Sequence, residues 1–381
     1  MSDINTQSLP LTCRALIYHG GGQPLSVQAI PTPEAVPGSV IVRILASIIE
    51  AGSRDTLAGK GAAITFPSPF VPGARAIGRV ATTGPDAVSL QVGQLVMLEP
   101  FVRARDKPDV EILWGLGMFG SDPMAKKLME DTWRNGMYAE YARAPLENCH
   151  PLNEKILLGS PAEGGLGYSI ADLTCLSRQL VAYGGFRGID LKAGETVIVA
   201  PATGSFSGAA VEVASAMGAR VIAVGRNLSA LQEIAAVNPR VHVLQLKGDV
   251  QEDLASLKQF GTIDAYLDIS PAVAANSTHV RSCMMAVRSY GRVSLMGGAI
   301  FNDIAIPYAL AVLKNLTIRG QYMYEREDAR DLIKLAETGV LKLGKSVGHK
   351  VVGEYKLEEW EEALETAHQN PGAGKTTLFT P

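Results

Sequence analysis

The residues best placed to do chemistry lie in a short turn at residues 201–208, PATGSFSG. A β-branched run, VIV at residues 197–199, precedes this turn, and apolar residues at helical spacing follow it. A glycine-containing turn between a strand and a helix lets backbone N–H groups bind a pyrophosphate. The segment therefore predicts a dinucleotide site formed by Thr203, Gly204, Ser205 and Phe206.

This turn departs from the usual fingerprint G-x-G-x-x-G, because Pro201 stands at the first glycine position and the turn is one residue longer. A strand-to-helix turn of some other doubly wound protein is the alternative. A hydrolase nucleophile turn is excluded, since G-x-S-x-G needs serine where this chain has Phe206. The flanking strands, the helix pattern and a C-cap glycine at Gly218 favour the dinucleotide interpretation.

The end of the second strand of this unit indicates which dinucleotide binds. Sites for NAD usually place Asp or Glu there, to bind the ribose 2′-hydroxyl. Here Gly225 takes that place, followed by Arg226 and Asn227. No carboxylate repels a 2′-phosphate, and a guanidinium can pair with one. We expect NADP(H) in preference to NAD(H), with a solvated surface arginine as the alternative for Arg226.

Two architectures must position these residues. The first ~150 residues read as antiparallel β structure, with strands at 40–45, 77–81, 95–98 and 138–143. From about residue 178, strands and helices alternate, with strands at 196–200, 220–224, 241–245, 263–268, 292–296 and 316–320. Helical periodicity returns at 326–338 and 356–369. We predict an α/β protein in which a doubly wound parallel-sheet domain, residues 178–320, interrupts a β-rich domain of residues 1–177 and 321–381.

A charged insertion at residues 101–135 interrupts the β-rich part and carries Trp114 and Trp133. It is long for a loop, so we expect some helix and a functional lid. A second feature, GAGKTT at residues 372–377, resembles the end of a phosphate-binding loop. The full motif needs glycine at position 369, which is Gln369, so we expect an ordinary loop before a terminal strand.

Composition limits the class of protein. The chain has 381 residues and a formal net charge of −3, which gives no reason to expect nucleic acid or an anionic membrane as a partner. No apolar run reaches the ~18–20 residues of a membrane span, and the N-terminal residues lack an apolar signal core. The four cysteines are far apart, which excludes a four-cysteine structural zinc site and suggests buried fillers in a reducing, cytoplasmic compartment.

Five further segments support a resemblance that runs along almost the whole chain: PGSVIVRI at 37–44, VPG at 71–73 followed by IGRV at 77–80, VGQLV at 92–96, LKAGE at 191–195 and GRVSLMGG at 291–298. The sequence resembles the medium-chain dehydrogenase/reductase superfamily, which includes alcohol dehydrogenases and quinone reductases, and within it a fungal branch. The resemblance implies a GroES-like catalytic domain, a Rossmann domain for NADP(H) and a homodimer. It also implies that Ile269, Gly297 and Met323 contact the cofactor.

The departures from the zinc-dependent members concern the metal ligands. Those members carry G-x-C-[HGR]-[ST]-D, whereas this chain has EAGSRD at 50–55, with Gly52 at the cysteine position. The usual His-Glu pair is replaced by Ala74 and Arg75, and the third ligand position falls at Ser177, two residues from Cys175. A catalytic zinc needs three protein ligands, so we expect a metal-free site.

Without a metal, hydrogen-bond donors must stabilise the oxygen on which charge develops. By the resemblance, Ser53 and Arg54 face the nicotinamide, and Tyr138 or Tyr168 could supply a hydroxyl. Pairing of Arg54 with Asp55 or Glu50, and a packing role for each tyrosine, are the alternatives. We expect hydride transfer from NADPH to an enone, quinone or carbonyl. An alcohol dehydrogenase working in the oxidative direction, or a catalytically silent NADP(H) sensor, are the competing interpretations.

Overall fold

The computed structural model describes residues 9–20, 22–60, 64–119, 122–297 and 303–381, without the side chains of Ile64, Met118 and Phe119. Its contacts divide the chain into two compact units. The first unit comprises the residues up to Thr174 together with Val351–Asn370 and Thr376–Pro381. The second comprises Cys175–Lys350 and Pro371–Lys375.

The first unit is rich in β structure. Its strands are β1 Thr12–Ile17, β2 Ser26–Pro31, β3 Ser39–Ile49, β4 Ile64–Thr65, β5 Ala76–Thr83, β6 Leu95–Leu98, β7 Phe101–Arg103, β8 Glu111–Leu113, β9 Met118–Phe119, β10 Tyr141–Pro145 and β11 Cys149–Pro151, with β18 Lys350–Tyr355 and β19 Lys375–Phe379 added from the C-terminal part. Its α-helices are α1 Ser53–Leu57, α2 Pro123–Lys127, α3 Glu154–Leu157, α4 Ile170–Leu173 and α12 Trp360–Gln369.

The main sheet of this unit has seven strands in the order β11-β6-β5-β3-β19-β18, and β10 also pairs with β3. The long strand β3 is antiparallel to β5, with register shifts at Ile41/Val42 and at Ile44/Ala46. Such irregularities bend a strand and increase its twist, which helps a sheet to curl around a core. The buried residues of β3, β5 and β6 form that core.

The insertion at 101–135 belongs to the same core. Trp114 and Trp133 are both buried, and their rings meet edge to face with centroids 6.5 Å apart. The expected helix is present as α2, where Pro123 occupies the first turn and the Asp122 side chain accepts the Met124 amide. The described part of the insertion is therefore packed structure that two tryptophans anchor, and residues 120 and 121 lie outside the description.

The second unit contains one parallel sheet with helices around it. Its strands are β12 Thr196–Ala200, β13 Arg220–Gly225, β14 Val241–Gln245, β15 Ala265–Asp268, β16 Arg292–Leu295 and β17 Thr317–Gly320. Its α-helices are α5 Leu176–Gly188, α6 Ser205–Ala216, α7 Leu228–Ala236, α8 Val250–Lys258, α9 His279–Ala286, α10 Tyr308–Leu313 and α11 Arg326–Glu337.

The strand order β14-β13-β12-β15-β16-β17 is that of a Rossmann fold. The chain runs outward from β12 to β14 and then crosses back to β15, so the order reverses between β12 and β15. In such sheets ligands bind outside the carboxyl ends of the strands at this reversal. This parallel order confirms the predicted α/β class and doubly wound sheet. The fully buried run 197–199 lies in its central strand, β12.

The division into units differs from the predicted boundary at residue 321. Helix α11 packs against α5 through an apolar face that includes the buried Ala329, Leu332, Ile333 and Ala336. This packing places residues 321–350 with the parallel sheet. Within the described ranges, no helix is both long and apolar enough to cross a membrane.

Candidate active site

The predicted phosphate-binding turn joins β12 to α6 at the carboxyl edge of the parallel sheet. Gly204 is the N-cap of α6, and its N–H donates to Ser207 Oγ over 2.9 Å. The Ala202 N–H donates to the Val224 carbonyl over 2.8 Å, which fixes the turn against β13. Residues Thr203, Gly204, Ser205 and Phe206 are half-buried and lie together. A pyrophosphate fits this turn, because the first N–H groups of a helix have no acceptor within the helix.

The end of β13 lies directly beside this turn. The backbone at Gly225 leaves room for a Cβ. A Cβ added there would lie 3.5 Å from the Thr203 and Leu231 side chains, which is an ordinary van der Waals distance. Arg226 is exposed, and in the described part of the chain no residue pairs with its guanidinium. Asn227 caps α7 by accepting the Ala230 amide at 3.1 Å, so it also has a structural role.

The carboxyl ends of β15 and β16 carry the predicted residues on the nicotinamide side. Ile269 follows β15, and Gly297 comes shortly after β16. Gly297 lies so close to the end of β15 that a Cβ added to it would be 2.7 Å from Asp268 Oδ2. Gly298 lies outside the described residues. Met323 is buried and has φ of 55°, a backbone conformation that costs energy for any residue but glycine and that often marks functional sites.

A buried polar cluster that was not predicted from the sequence lies at the same edge. Ser270 Oγ donates to Asp268 Oδ1 over 2.6 Å, and His279 Nε2 lies 3.2 Å from the same carboxylate oxygen. His279 Nδ1 lies 2.7 Å from Ser277 Oγ. These contacts join residues up to eleven positions apart, and the only sequence signal for them is a pair of isolated polar residues, Asp268 and Ser270, at the end of a buried strand.

The GAGKTT segment, residues 372–377, lies against the predicted phosphate-binding turn. Gly372 forms a β-bridge with Gly204, and the Ala373 N–H donates to the Thr203 carbonyl over 3.0 Å. A Cβ on Gly208 would overlap Ala373. The expectation of an ordinary loop before a terminal strand is met, and the segment also supports the dinucleotide turn.

A groove of about 940 Å³ opens beside the turn, between α6, α7 and the segments 340–350 and 371–375. Its walls include Thr203, Asn227, Ser229 and Lys375. The volume is within the range of ligand pockets in proteins, ~300–1,000 Å³. Two of the predicted cofactor residues, Thr203 and Asn227, therefore border open space that a nucleotide can enter.

The first unit contains a much smaller cavity, of about 20 Å³, at the loop where zinc-dependent members bind metal. Its lining includes Glu50, Ser53, Gly73, Arg75 and Tyr138. Arg75 is 5% exposed, and its Nη1 lies 3.3 Å from Glu50 Oε1. From the sequence, Arg75 was noted only as a replacement in the usual His-Glu pair, and its buried ion pair was not predicted.

The three predicted catalytic residues are not all brought together. Ser53 and Tyr138 line the small cavity, but the Tyr138 hydroxyl donates to the Ile48 carbonyl over 3.0 Å, which is the packing alternative. Arg54 does not line it. Arg54 forms ion pairs with Glu365 at 2.6 Å and Asp55 at 3.2 Å, and its hydrogen bond to Glu365 lowers the pKa of that carboxyl. The alternative of an Arg54–Asp55 pair is the observed arrangement.

The positions of the metal ligands offer no donor set for zinc. Gly52 and Ala74 have no coordinating side chain, and Arg75 is a cation. Within the described ranges, no group of three His, Cys, Asp or Glu side chains could hold a metal ion. All four cysteines are buried, as predicted, and none is in a disulfide, and burial raises the pKa of the Cys149 and Cys283 thiols. The residues present do not fit a catalytic zinc.

Comparisons with known proteins agree with this architecture. Residues 36–154 match the alcohol dehydrogenase GroES-like domain, and residues 207–338 match the zinc-binding dehydrogenase family. An alcohol dehydrogenase of Rhizobium meliloti is 24% identical over 330 residues, 86% of this chain and 89% of the relative. A sorbitol dehydrogenase of Bacillus subtilis is 22% identical over 96% of each chain.

Solved structures extend the similarity of fold to the whole chain. A cobalt- and zinc-bound thermostable alcohol dehydrogenase from Pyrobaculum aerophilum has a TM-score of 0.71 at 20% identity, covering 97% of this chain and 100% of the other. The 2R,3R-butanediol dehydrogenase from Bacillus subtilis has a TM-score of 0.73 at 18% identity, with 97% and 99% covered. The chain belongs to the medium-chain dehydrogenase/reductase superfamily, a family of NAD(P)-dependent oxidoreductases.

Proposed function

We propose that the protein is a zinc-independent, NADP(H)-dependent oxidoreductase that transfers hydride to an activated C=C or C=O bond. Its substrate is a small-to-medium apolar enone, quinone or carbonyl compound. The observation that carries this proposal is a contrast within one chain. The dinucleotide turn and its sheet are complete, whereas the metal-ligand positions hold Gly52, Ala74 and Ser177.

The second unit supplies the cofactor site in this proposal. The turn around Gly204 binds the pyrophosphate through backbone N–H groups, and Arg226 pairs with the 2′-phosphate of NADP(H). Residues Ile269, Gly297 and Met323 border the nicotinamide, which supplies the hydride when it is bound. Because Arg226 is exposed and has no described partner, its pairing with a phosphate breaks no existing ion pair.

The first unit supplies the substrate site. Ser53 and the buried Arg75 line a cavity in which no described cluster of side chains could hold a metal. Donors of this kind can stabilise the oxygen of a carbonyl or an enolate as negative charge develops on it, each worth about 10²–10³ in rate in known enzymes. The four buried cysteines, none of them in a disulfide, suit a reducing cytoplasmic location.

The function is tested by NADPH oxidation with a panel of enones, quinones and aldehydes. Turnover of an enone or quinone supports the proposal. Oxidation of secondary alcohols or polyols with NADP⁺, and no reduction of the panel, would favour the alternative suggested by the names of the relatives. Tight NADPH binding without turnover in either direction would favour a catalytically silent sensor.

We also propose that the protein forms a homodimer through the edge of the parallel sheet. Strand β17 ends the described sheet and is mostly exposed. Large apolar side chains are also exposed nearby in sequence, with Tyr308 at 74%, Val312 at 59% and Leu313 at 81%. An open edge with exposed apolar residues suits pairing with a second copy about a twofold axis. Light scattering should give a dimer mass that the double substitution Val312→Glu, Leu313→Glu reduces to a monomer mass.

A further inference from the structure

By the resemblance, the buried cation of the first unit aligns with a segment that contributes to the metal site in the zinc-dependent members. Arg75 aligns with the glutamate of their His-Glu pair, and its side chain lines the same cavity as Ser53. The Arg75 carbonyl accepts Ser47 Oγ and the Ile48 N–H, each at 3.0 Å. These two bonds fix the backbone of Arg75 at the start of β5 and so limit where its guanidinium can reach.

A buried ion pair at this place is costly for the fold. Removing a guanidinium and a carboxylate from water costs desolvation free energy that their mutual attraction barely offsets. Proteins in which apolar residues replace a buried ion pair are often equally stable. Arg75 is 5% exposed and the Glu50 side chain 19% exposed, so both charges lose most of their hydration. Stability alone therefore gives a weak reason for this pair.

The cavity beside the Arg75–Glu50 ion pair is about as large as one carbonyl or hydroxyl group. Its volume of about 20 Å³ exceeds the ~10–15 Å³ that one water molecule requires. Its wall at Gly73 needs glycine, because φ is 109° and an added Cβ would lie 2.5 Å from the Tyr138 backbone nitrogen. The cavity thus presents a fixed cation and a serine hydroxyl, Ser53, to one small polar group.

We propose that the Arg75 guanidinium replaces the metal of the zinc-dependent relatives as the group that holds the substrate oxygen. Glu50 orients the guanidinium, and Ser53 is the second donor. The inference rests on the proposed function and deepens it, since it names the binding group for a carbonyl or enolate oxygen. Arginine suits this task because its guanidinium stays protonated at any physiological pH and presents several N–H donors in one plane.

The reaction balances without a metal. The substrate carbon gains hydride, the electron pair of the C=O bond moves onto oxygen, and the cofactor is oxidised to NADP⁺. For an enone, hydride adds at the β-carbon and the electron pair reaches the oxygen through the conjugated system. The Arg75 N–H groups donate to the resulting alkoxide or enolate oxygen, and a proton from water completes the alcohol or the saturated ketone.

The test begins with turnover by the wild-type protein, which decides the proposed function separately. If NADPH is oxidised by a panel member, Arg75→Gln, Arg75→Lys and Arg75→Ala are compared with the control Arg79→Gln. Arg79 lies on β5, four residues after Arg75, and has its own partner, Glu154, outside the cavity. We expect Arg75→Gln to lose about 10²–10³ in kcat, with NADPH affinity unchanged. We also expect added guanidinium ion, below denaturing concentrations, to restore activity to Arg75→Ala.

The Arg75→Lys variant decides the matter if the other variants fold poorly. A lysine ammonium loses its proton near pH ~10, or at a lower pH when it is buried, whereas an arginine guanidinium stays protonated throughout this range. Its activity should therefore fall on the alkaline side of a pH profile that is flat there for the wild-type protein. Values of kcat for Arg75→Gln near those of Arg79→Gln, or an Arg75→Lys profile that superimposes on the wild-type one, would overturn the assignment.

Discussion

His349 Nε2 lies 2.7 Å from Glu212 Oε1, and this contact joins the segment before β18 to the cofactor helix α6. The Gly344 N–H donates to His349 Nδ1 over 3.2 Å, so Nδ1 carries a lone pair and Nε2 carries the proton that Glu212 accepts. Gln179 Nε2 donates to the other carboxylate oxygen over 2.8 Å. One carboxylate thus holds two donors that lie far apart in the sequence.

Removing this carboxylate should destabilise the second unit. Glu212→Ala leaves the His349 and Gln179 donors unsatisfied, at a cost of about 1–3 kcal/mol each when such groups are buried. Glu212→Gln keeps an acceptor and should lose less. Denaturant unfolding measures both changes, with Glu233→Ala on the exposed face of α7 as the control. Equal stability of Glu212→Ala and Glu233→Ala would contradict the role given to Glu212.

The close packing of α6 on the 371–375 segment predicts a second effect on stability. Gly208→Ala adds a methyl group that overlaps Ala373. Overpacking of this kind typically costs ~1–3 kcal/mol, which opposes the ~1 kcal/mol that alanine gains over glycine in a helix. We expect a net loss of stability and weaker NADPH binding, because the segment that touches Thr203 must move.

Thermal unfolding and an NADPH titration check this expectation. Gly320→Ala is the matched control, since a Cβ at Gly320 meets no atom within 4 Å. A Gly208→Ala protein that is more stable than the wild type and binds NADPH equally well would show that the segment does not constrain the turn.

The choice of cofactor should depend on two neighbouring positions. Arg226→Ala removes a charge-assisted hydrogen bond worth ~1.5–3 kcal/mol, which is roughly ten- to a hundredfold in NADPH affinity. The backbone at Gly225 has room for a Cβ, and Gly225→Asp introduces a carboxylate that repels the 2′-phosphate and binds a 2′-hydroxyl. NADH affinity should change little in the first variant and rise in the second. Equal losses for both coenzymes in Arg226→Ala would contradict the assignment.

Removal of metal should leave the enzyme unaffected. Gly52, Ala74 and Ser177 stand at the metal-ligand positions, and they do not supply the three ligands that a catalytic zinc requires. Dialysis against a strong chelator should therefore change neither NADPH-dependent turnover nor the melting temperature. Elemental analysis of the purified protein is the direct measurement, and one equivalent of zinc per chain would refute the argument from the ligands.

Local pattern was enough to predict the parallel sheet and the turn between β12 and α6 at its carboxyl edge. The run 197–199 is apolar on both faces, which only a strand covered on both sides needs, and it forms the centre of the sheet. The turn, Gly225 and Arg226 follow within one continuous segment. Residues close in sequence stay close in the fold, so their arrangement could be inferred without long-range contacts.

The ion pairs of the first unit could not be inferred in the same way. Arg54 was expected to face the nicotinamide, but Glu365 and His368, more than 300 residues later, lie beside it on α12. Arg75 is buried because β3, β5 and the loop before α1 come together, and its partner Glu50 is 25 positions away. Charge pairs of this kind depend on tertiary packing, for which a single sequence carries no periodic signal.

Calorimetric titration of the wild-type protein with NADPH and NADH tests the central claim most directly. The claim is that the turn at Gly204 and the cation at Arg226 bind a phosphorylated nicotinamide dinucleotide. The account predicts one site per chain, with NADPH bound at micromolar or lower concentration and NADH more weakly. Absence of heat with either coenzyme at two temperatures would contradict it.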